Sequence, residues 1–130
     1  MIKTGKTYTR LDYHIVCATK YREKSIDNEV LAQIRECTKK KAEELGFLVH
    51  ILNGYQDHIH ILMTLPPKFA VSDIVKHIKG YSSRVVEGLQ WQNGYSAFTV
   101  DESSFARVFH YIKMQQGDHK DAGGDESPPQ

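Results

Sequence analysis

Apolar and polar positions alternate through residues 7–20, with Leu11, Tyr13, Ile15 and Cys17 on one side and Asp12, His14, Val16 and Ala18 on the other. A period of two predicts a long first strand. From Asp27 the period lengthens: Val30, Leu31, Ile34, Cys37, Ala42 and Leu45 form a helical stripe that Asp27 can cap and Gly46 can end, with Lys39, Lys40 and Lys41 mostly toward solvent. Residues 47–55 read as a second strand with Asn53-Gly54 as a turn or bulge, and residues 57–65 as a third, stopped by Pro66-Pro67. A second helix starts near Ser72 and buries Ile74, Ile78, Ser82, Val85 and Leu89, leaving Lys76, Lys79 and Ser83 on other faces. After a loop at 90–94 come a short strand at 95–100 and a third helix capped by Ser103 or Ser104, with core stripe Phe105, Val108, Phe109 and Ile112.

The order βαββαβα predicts an α+β fold of the ferredoxin-like, split βαβ kind: a four-stranded antiparallel sheet with helices on one face, plus a C-terminal helix. The other face is then open for a ligand, unless the third helix lies across it or reaches a partner subunit.

Length changes little in this picture, since 130 residues suit one domain. Residues 1–116 are expected to fold, and residues 117–130 to form a flexible acidic tail. The formal net charge is +1, but that tail holds four carboxylates against one lysine, so residues 1–116 carry +4. Such a mild basic bias is compatible with a nucleic-acid partner and equally with none. No apolar run approaches a membrane span and no apolar signal core opens the chain, which predicts a cytoplasmic protein. Cys17 and Cys37 are too few for a disulfide scaffold and read as buried thiols.

The chemistry concentrates in two short segments. In Gln56-Asp57-His58-Ile59-His60 the two histidines lie two apart on a predicted strand, so both imidazoles project from one face roughly 6–7 Å apart and can share a divalent ion. Ile59, Ile61 and Met63 then face the core. On the third helix, Tyr111 and Gln115 are four apart and lie beside the apolar stripe. A Gln oxygen is a suitable hard ligand for Mg²⁺ or Mn²⁺. A tyrosine nucleophile suits DNA breakage and rejoining, because a phosphotyrosine link conserves the energy of the phosphodiester. His110 lies about 100° from Tyr111 around the helix and has no assigned part.

With these segments in view, the chain resembles the HUH single-tyrosine transposases, the IS200-like or transposase A family of single-stranded-DNA insertion sequences. The resemblance covers residues 8 to about 116 and rests on Tyr13-His14-Ile15-Val16, Thr19-Lys20-Tyr21-Arg22, Asp57-His58-Ile59-His60, Lys79-Gly80-Tyr81-Ser82-Ser83, Trp91-Gln92-Asn93-Gly94-Tyr95, Tyr111-Ile112 and Gln115. It implies metal ligation by His58, His60 and Gln115, and attack by Tyr111 that leaves a 5′-phosphotyrosine and a free 3′ hydroxyl. It also implies a homodimer, binding of DNA hairpins at element ends, and action on DNA in a bacterial or archaeal cell. After Gln115 the chain departs from the family's usual helical, histidine-containing continuation.

For the hairpin, Lys20, Arg22, Lys76, Lys79 and Arg84 are the candidate phosphate contacts, with Tyr21 and Tyr81 nearby for unpaired bases. Each has a structural alternative in a solvated face or core edge, and Trp91 reads as a core anchor. Two other function classes compete: a non-catalytic single-strand-binding module or inactive relic on the same scaffold, and a metal-dependent phosphodiesterase that uses water. The first breaks no bond, and the second would survive loss of the Tyr111 hydroxyl.

Overall fold

The computed structural model describes residues 2–118. Strands β3 (Asp12–Ala18), β4 (Leu48–Tyr55), β5 (His58–Thr64) and β6 (Ser96–Val100) form one antiparallel sheet in the order β4-β5-β3-β6. Helices α1 (Asn28–Leu45) and α2 (Val71–Val85) connect them as the ferredoxin-like pattern requires. The alternation read in the first strand has the expected outcome. Tyr13, Ile15 and Cys17 join Ile59, Ile61 and Met63 in a core beneath α1 and α2, while His14 points to the opposite face. Both cysteines are buried and free. Among the described residues no helix is long and apolar enough to cross a membrane.

Local signals explain the helix ends. Asp27 accepts from the Val30 amide at 2.8 Å, and Gly46 closes α1 at φ +88, where a side chain would be strained. Helix α2 ends at Val85, which is half exposed; the chain turns extended at Val86, so Val86 takes the buried place expected of Val85. The third helix is capped differently from the expectation. Asp101, ahead of both serines, accepts from the Ser104 amide at 2.9 Å and the Ser103 hydroxyl at 3.1 Å, through a 3₁₀ turn at Glu102–Ser104.

Two strand expectations need correction. Residues 7–20 do not form one strand, because β2 (Thr7–Thr9) pairs with β1 (Ile2–Thr4) in a separate hairpin around Gly5. The chain changes partners at Arg10 and Leu11 before joining the main sheet. Asn53-Gly54 is not a turn either. Both residues lie in β4, opposite His60 and Ile59, and the turn is at Gln56 and Asp57; the bulge falls between Val49 and Ile51. Glycine at position 54 answers a close approach, since a Cβ there would sit 2.3 Å from the His58 carbonyl oxygen.

The sheet face opposite α1 and α2 is covered. Helix α3 (Phe105–Lys113) lies across it, and Val108 and Ile112 pack with Leu62 and Val100 in a second, smaller core. Burying those two side chains contributes about 2 kcal/mol each. Strand β5 is therefore buried along its whole length, enclosed by helices on both sides. Of the expected acidic tail, residues 117–130, residues 119–130 lie outside the described residues, and residues 117 and 118 belong instead to the short helix α4 (Gln115–Asp118).

Candidate active site

Strand β5 delivers His58 and His60 to the face under α3, with ring centroids 5.0 Å apart and each side chain almost fully buried. Their Nδ1 atoms meet different partners. His58 Nδ1 donates to Asp57 Oδ1 at 2.8 Å, and Arg22 donates to the same carboxylate from Nε at 3.1 Å and Nη2 at 3.4 Å. Burial pushes the Asp57 carboxyl up, yet the His58 hydrogen bond and the Arg22 guanidinium outweigh it and hold it below the usual carboxylate range. With hydrogen on Nδ1, the lone pair of His58 is on Nε2.

His60 Nδ1 lies 2.9 Å from Nε2 of His14, a residue of β3 reached diagonally across the strand pair. His14 is fully buried, and burial lowers its pKa to about 4, so it is neutral near pH 7. Were His60 to hold an ion through Nε2, its hydrogen would sit on Nδ1, where His14 Nε2 could accept it.

The Tyr111 ring stands over these imidazoles, its centroid 5.6 Å from His60 and 6.0 Å from His14, both edge-on. Gln115 is buried, and its Nε2 donates to the Tyr111 carbonyl at 3.1 Å. The helix does not run unbroken between them, because Met114 (φ −93, ψ 7) ends α3 and Gln115 opens α4. Asn53 holds that break in place. Its Nδ2 donates to the Ile112 and Lys113 carbonyls at 3.0 Å each, while Arg35 of α1 donates to Asn53 Oδ1 at 3.1 Å and to the Leu52 carbonyl at 2.9 Å. The last carbonyls of α3 are thus satisfied from the sheet.

His58, His60 and Tyr111 are therefore gathered on one face of a single chain, with Gln115 bonded to the Tyr111 carbonyl beside them. Among the described residues no set of three His, Cys, Asp or Glu side chains is arranged to hold a metal ion. Two imidazoles completed by an amide oxygen are a mixed nitrogen and oxygen set that suits Mg²⁺ or Mn²⁺, and the carboxylate on His58 Nδ1 is the usual support for a ligating histidine. The donor chemistry fits the expected ion.

Residues 7–115 match the family model of IS200-like transposases. The chain belongs to this family. It is 29% identical to the ISDra2 transposase TnpA of Deinococcus radiodurans over 127 residues, covering 88% of this chain and 91% of the relative. It is 30% identical to the transposase for insertion sequence element IS200 of Salmonella typhimurium over 120 residues, 83% of this chain and 78% of the relative. Among solved structures, a Deinococcus radiodurans protein assigned as a transposase superposes with a TM-score of 0.70 at 28% identity, over 88% of this chain and 98% of that one. A REP-associated tyrosine transposase bound to a REP hairpin has the same fold, with a TM-score of 0.71 at 15% identity over 92% of this chain and 74% of its own.

Within this IS200-like transposase the candidate DNA contacts separate. Lys20, Lys76 and Lys79 line one cleft with Trp91 and Tyr95. Lys79 is already engaged there, donating to the Gln92 and Gly94 carbonyls at 2.7 and 2.6 Å, so it fastens the 90–94 loop. Arg22 is committed to Asp57. Arg84 lines a different cavity with Lys41 and Tyr81. Tyr81 lies beneath the ammonium groups of Lys41 and Lys40, at 4.8 and 5.5 Å, and packs at the core edge. Trp91 is the anchor expected of it, donating from Nε1 to Ser82 Oγ at 2.9 Å.

Three residues of the site had no role in the sequence reading. Asp57 and His14 lay inside the quoted motifs, and strand alternation set His14 on the non-core face. Pairing it with His60 needs the β3–β5 register. Asn53 was hidden by the turn chemistry of Asn-Gly.

Proposed function

We propose that this transposase breaks and rejoins single-stranded DNA through a covalent bond to Tyr111, with a divalent metal held by His58, His60 and Gln115. The observation that carries this reading is the Tyr111 ring standing edge-on to the imidazoles of His60 and of its partner His14 within one chain. In the proposed step the Tyr111 phenol oxygen attacks a backbone phosphorus. The phenol gives up its proton as the new O–P bond forms. The bond from phosphorus to the 3′ oxygen breaks, that oxygen takes a proton, and the 5′ phosphate remains on the tyrosine. Rejoining is the reverse attack by a 3′ hydroxyl.

Bound Mg²⁺ or Mn²⁺ would polarise the scissile phosphate and offset charge on the departing oxygen. The chain's own residues set the geometry: Asp57 and His14 fix the imidazole orientations, and Asn53 with Gln115 fixes the end of the tyrosine helix. DNA hairpins are the proposed substrates and a homodimer the proposed assembly. The REP-bound relative, which shares the fold, supports hairpin binding.

The test is a denaturing gel of the protein incubated with labelled hairpin oligonucleotides from the DNA flanking its gene, with Mg²⁺ or Mn²⁺. A metal-dependent covalent protein–DNA band that disappears in Tyr111→Phe, while DNA binding persists, is the expected result. Cleavage that survives Tyr111→Phe without an adduct would make the enzyme a water-using phosphodiesterase.

A further inference from the structure

Residues 19–23 turn sharply just after β3, and two consecutive non-glycine residues there, Tyr21 (φ +59) and Arg22 (φ +53), adopt the left-handed conformation. Hydrogen bonds enforce it. The Arg22 amide donates to the Thr19 carbonyl at 3.0 Å, the Glu23 amide to Lys20 at 3.2 Å, and the Thr19 hydroxyl to the Glu23 carbonyl at 2.7 Å. The result is an aromatic ring held outward on a stiff turn, 88% exposed. Strained backbone of this kind persists where the surroundings over-determine it, and it clusters at working sites.

The turn forms one wall of a cavity of about 520 Å³ lined by Lys20, Tyr21, Trp91, Gln92 and Asn93. Its other wall, the 90–94 loop, is equally fixed. The Lys20 amide donates to the Gln90 carbonyl and the Gln92 amide to the Ala18 carbonyl, each at 2.9 Å, and Lys79 holds the loop from below. Through Lys20 and Trp91 the cavity continues into the cleft that contains Lys76 and Lys79. Among the described residues no carboxylate lines either one.

We infer that this cavity receives an unpaired nucleotide of single-stranded DNA, with the base stacked on Tyr21, its edge read by the Gln92 and Asn93 amides, and its phosphate met by Lys20. Every base has a face for an aromatic ring, and side-chain amides supply both donors and acceptors to a base edge. The Lys20 ammonium, 5.4 Å from the Tyr21 ring centroid, sets the cation beside the stacking surface. Arg22, on the same turn, bonds the Asp57 carboxylate that supports His58, so the nucleotide would be held next to the candidate active site. The inference rests on the proposed action on single-stranded DNA.

The test is fluorescence anisotropy with labelled oligothymidylate, run on the parent protein and on Tyr21→Phe, Tyr21→Ala and Tyr21→Gly. The phenylalanine variant is expected to bind like the parent, and the alanine and glycine variants about 5- to 100-fold more weakly. Glycine suits the left-handed backbone, so Tyr21→Gly should melt at or above the parent temperature, which separates lost stacking from lost folding. Parent-like affinity in Tyr21→Ala would overturn the assignment. If that variant and the parent both bind tightly and form the Tyr111 adduct, only the cavity's role falls. If the parent neither binds the oligonucleotide nor forms an adduct, the cavity and the proposed function fall together.

Discussion

An imidazole that ligates through Nε2 must keep its hydrogen on Nδ1, and in a buried site something has to accept it. Asp57 does so for His58 as a carboxylate, and His14 is placed to do so for His60 as a neutral ring. His14→Phe would keep an aromatic ring beside Phe98 and Tyr111 while removing the acceptor. It should lower divalent-metal affinity about 10- to 100-fold. Titration with Mn²⁺ followed by electron paramagnetic resonance reads this directly; unchanged affinity would reduce His14 to packing. At this scale the sequence is legible where one residue type and one strand suffice, as with the His58 and His60 pair. It is silent where a partner comes from another strand, because register is a tertiary property.

Helix α3 shows what element-level reading finds and misses. Its apolar stripe and its start near 105 follow from periodicity, but the break at Met114 that leaves Gln115 outside it does not, and the serines that read as caps are themselves held by Asp101. Hydrogen bonds from Ser104 and Ser103 keep the Asp101 carboxyl below its ordinary value of 3.8. A carboxylate with a lowered folded pKa contributes stability above its unfolded value and loses it as pH falls through the folded value. Asp101→Asn keeps an acceptor but cannot titrate. Its melting temperature should therefore approach that of the parent as pH falls below about 4, whereas the parent leads at neutral pH. Thermal melts of both proteins across that range check the sign. A gap that does not vary with pH would mean that the charge at the cap carries no stability.

In the whole molecule, one sheet separates two cores of unequal size: the larger beneath α1 and α2, the smaller beneath α3. Periodicity marks the parts of the larger one carried by β3, β5 and α1, but it names none of Ile26, Phe47, Leu52, Leu65 or Val75 and sets Val85 where Val86 is buried. It left open what covers the other face, since a C-terminal helix beside an unoccupied sheet can dock on it or on a neighbour. Asn53 is the structural link that settles it, tying α3 through Arg35 to the opposite layer. Native-state hydrogen exchange should show α3 opening before α1 and α2, because fewer buried contacts hold it. Asn53→Ala should widen that difference by about 1–3 kcal/mol, the cost of leaving buried carbonyls unpaired. Uniform exchange across all three helices would refute the partition.

The placement of Tyr111 also bears on how the protein is made. Chains emerge from the ribosome N-terminus first, and domains tend to fold in that order. The strands that carry His14, His58 and His60 are complete by residue 64, and α2 and β6 follow before the segment bearing the phenol appears. A nascent chain in the proposed enzyme therefore presents imidazoles without a nucleophile. Its capacity to join itself to DNA would arrive only once α3 has followed those strands.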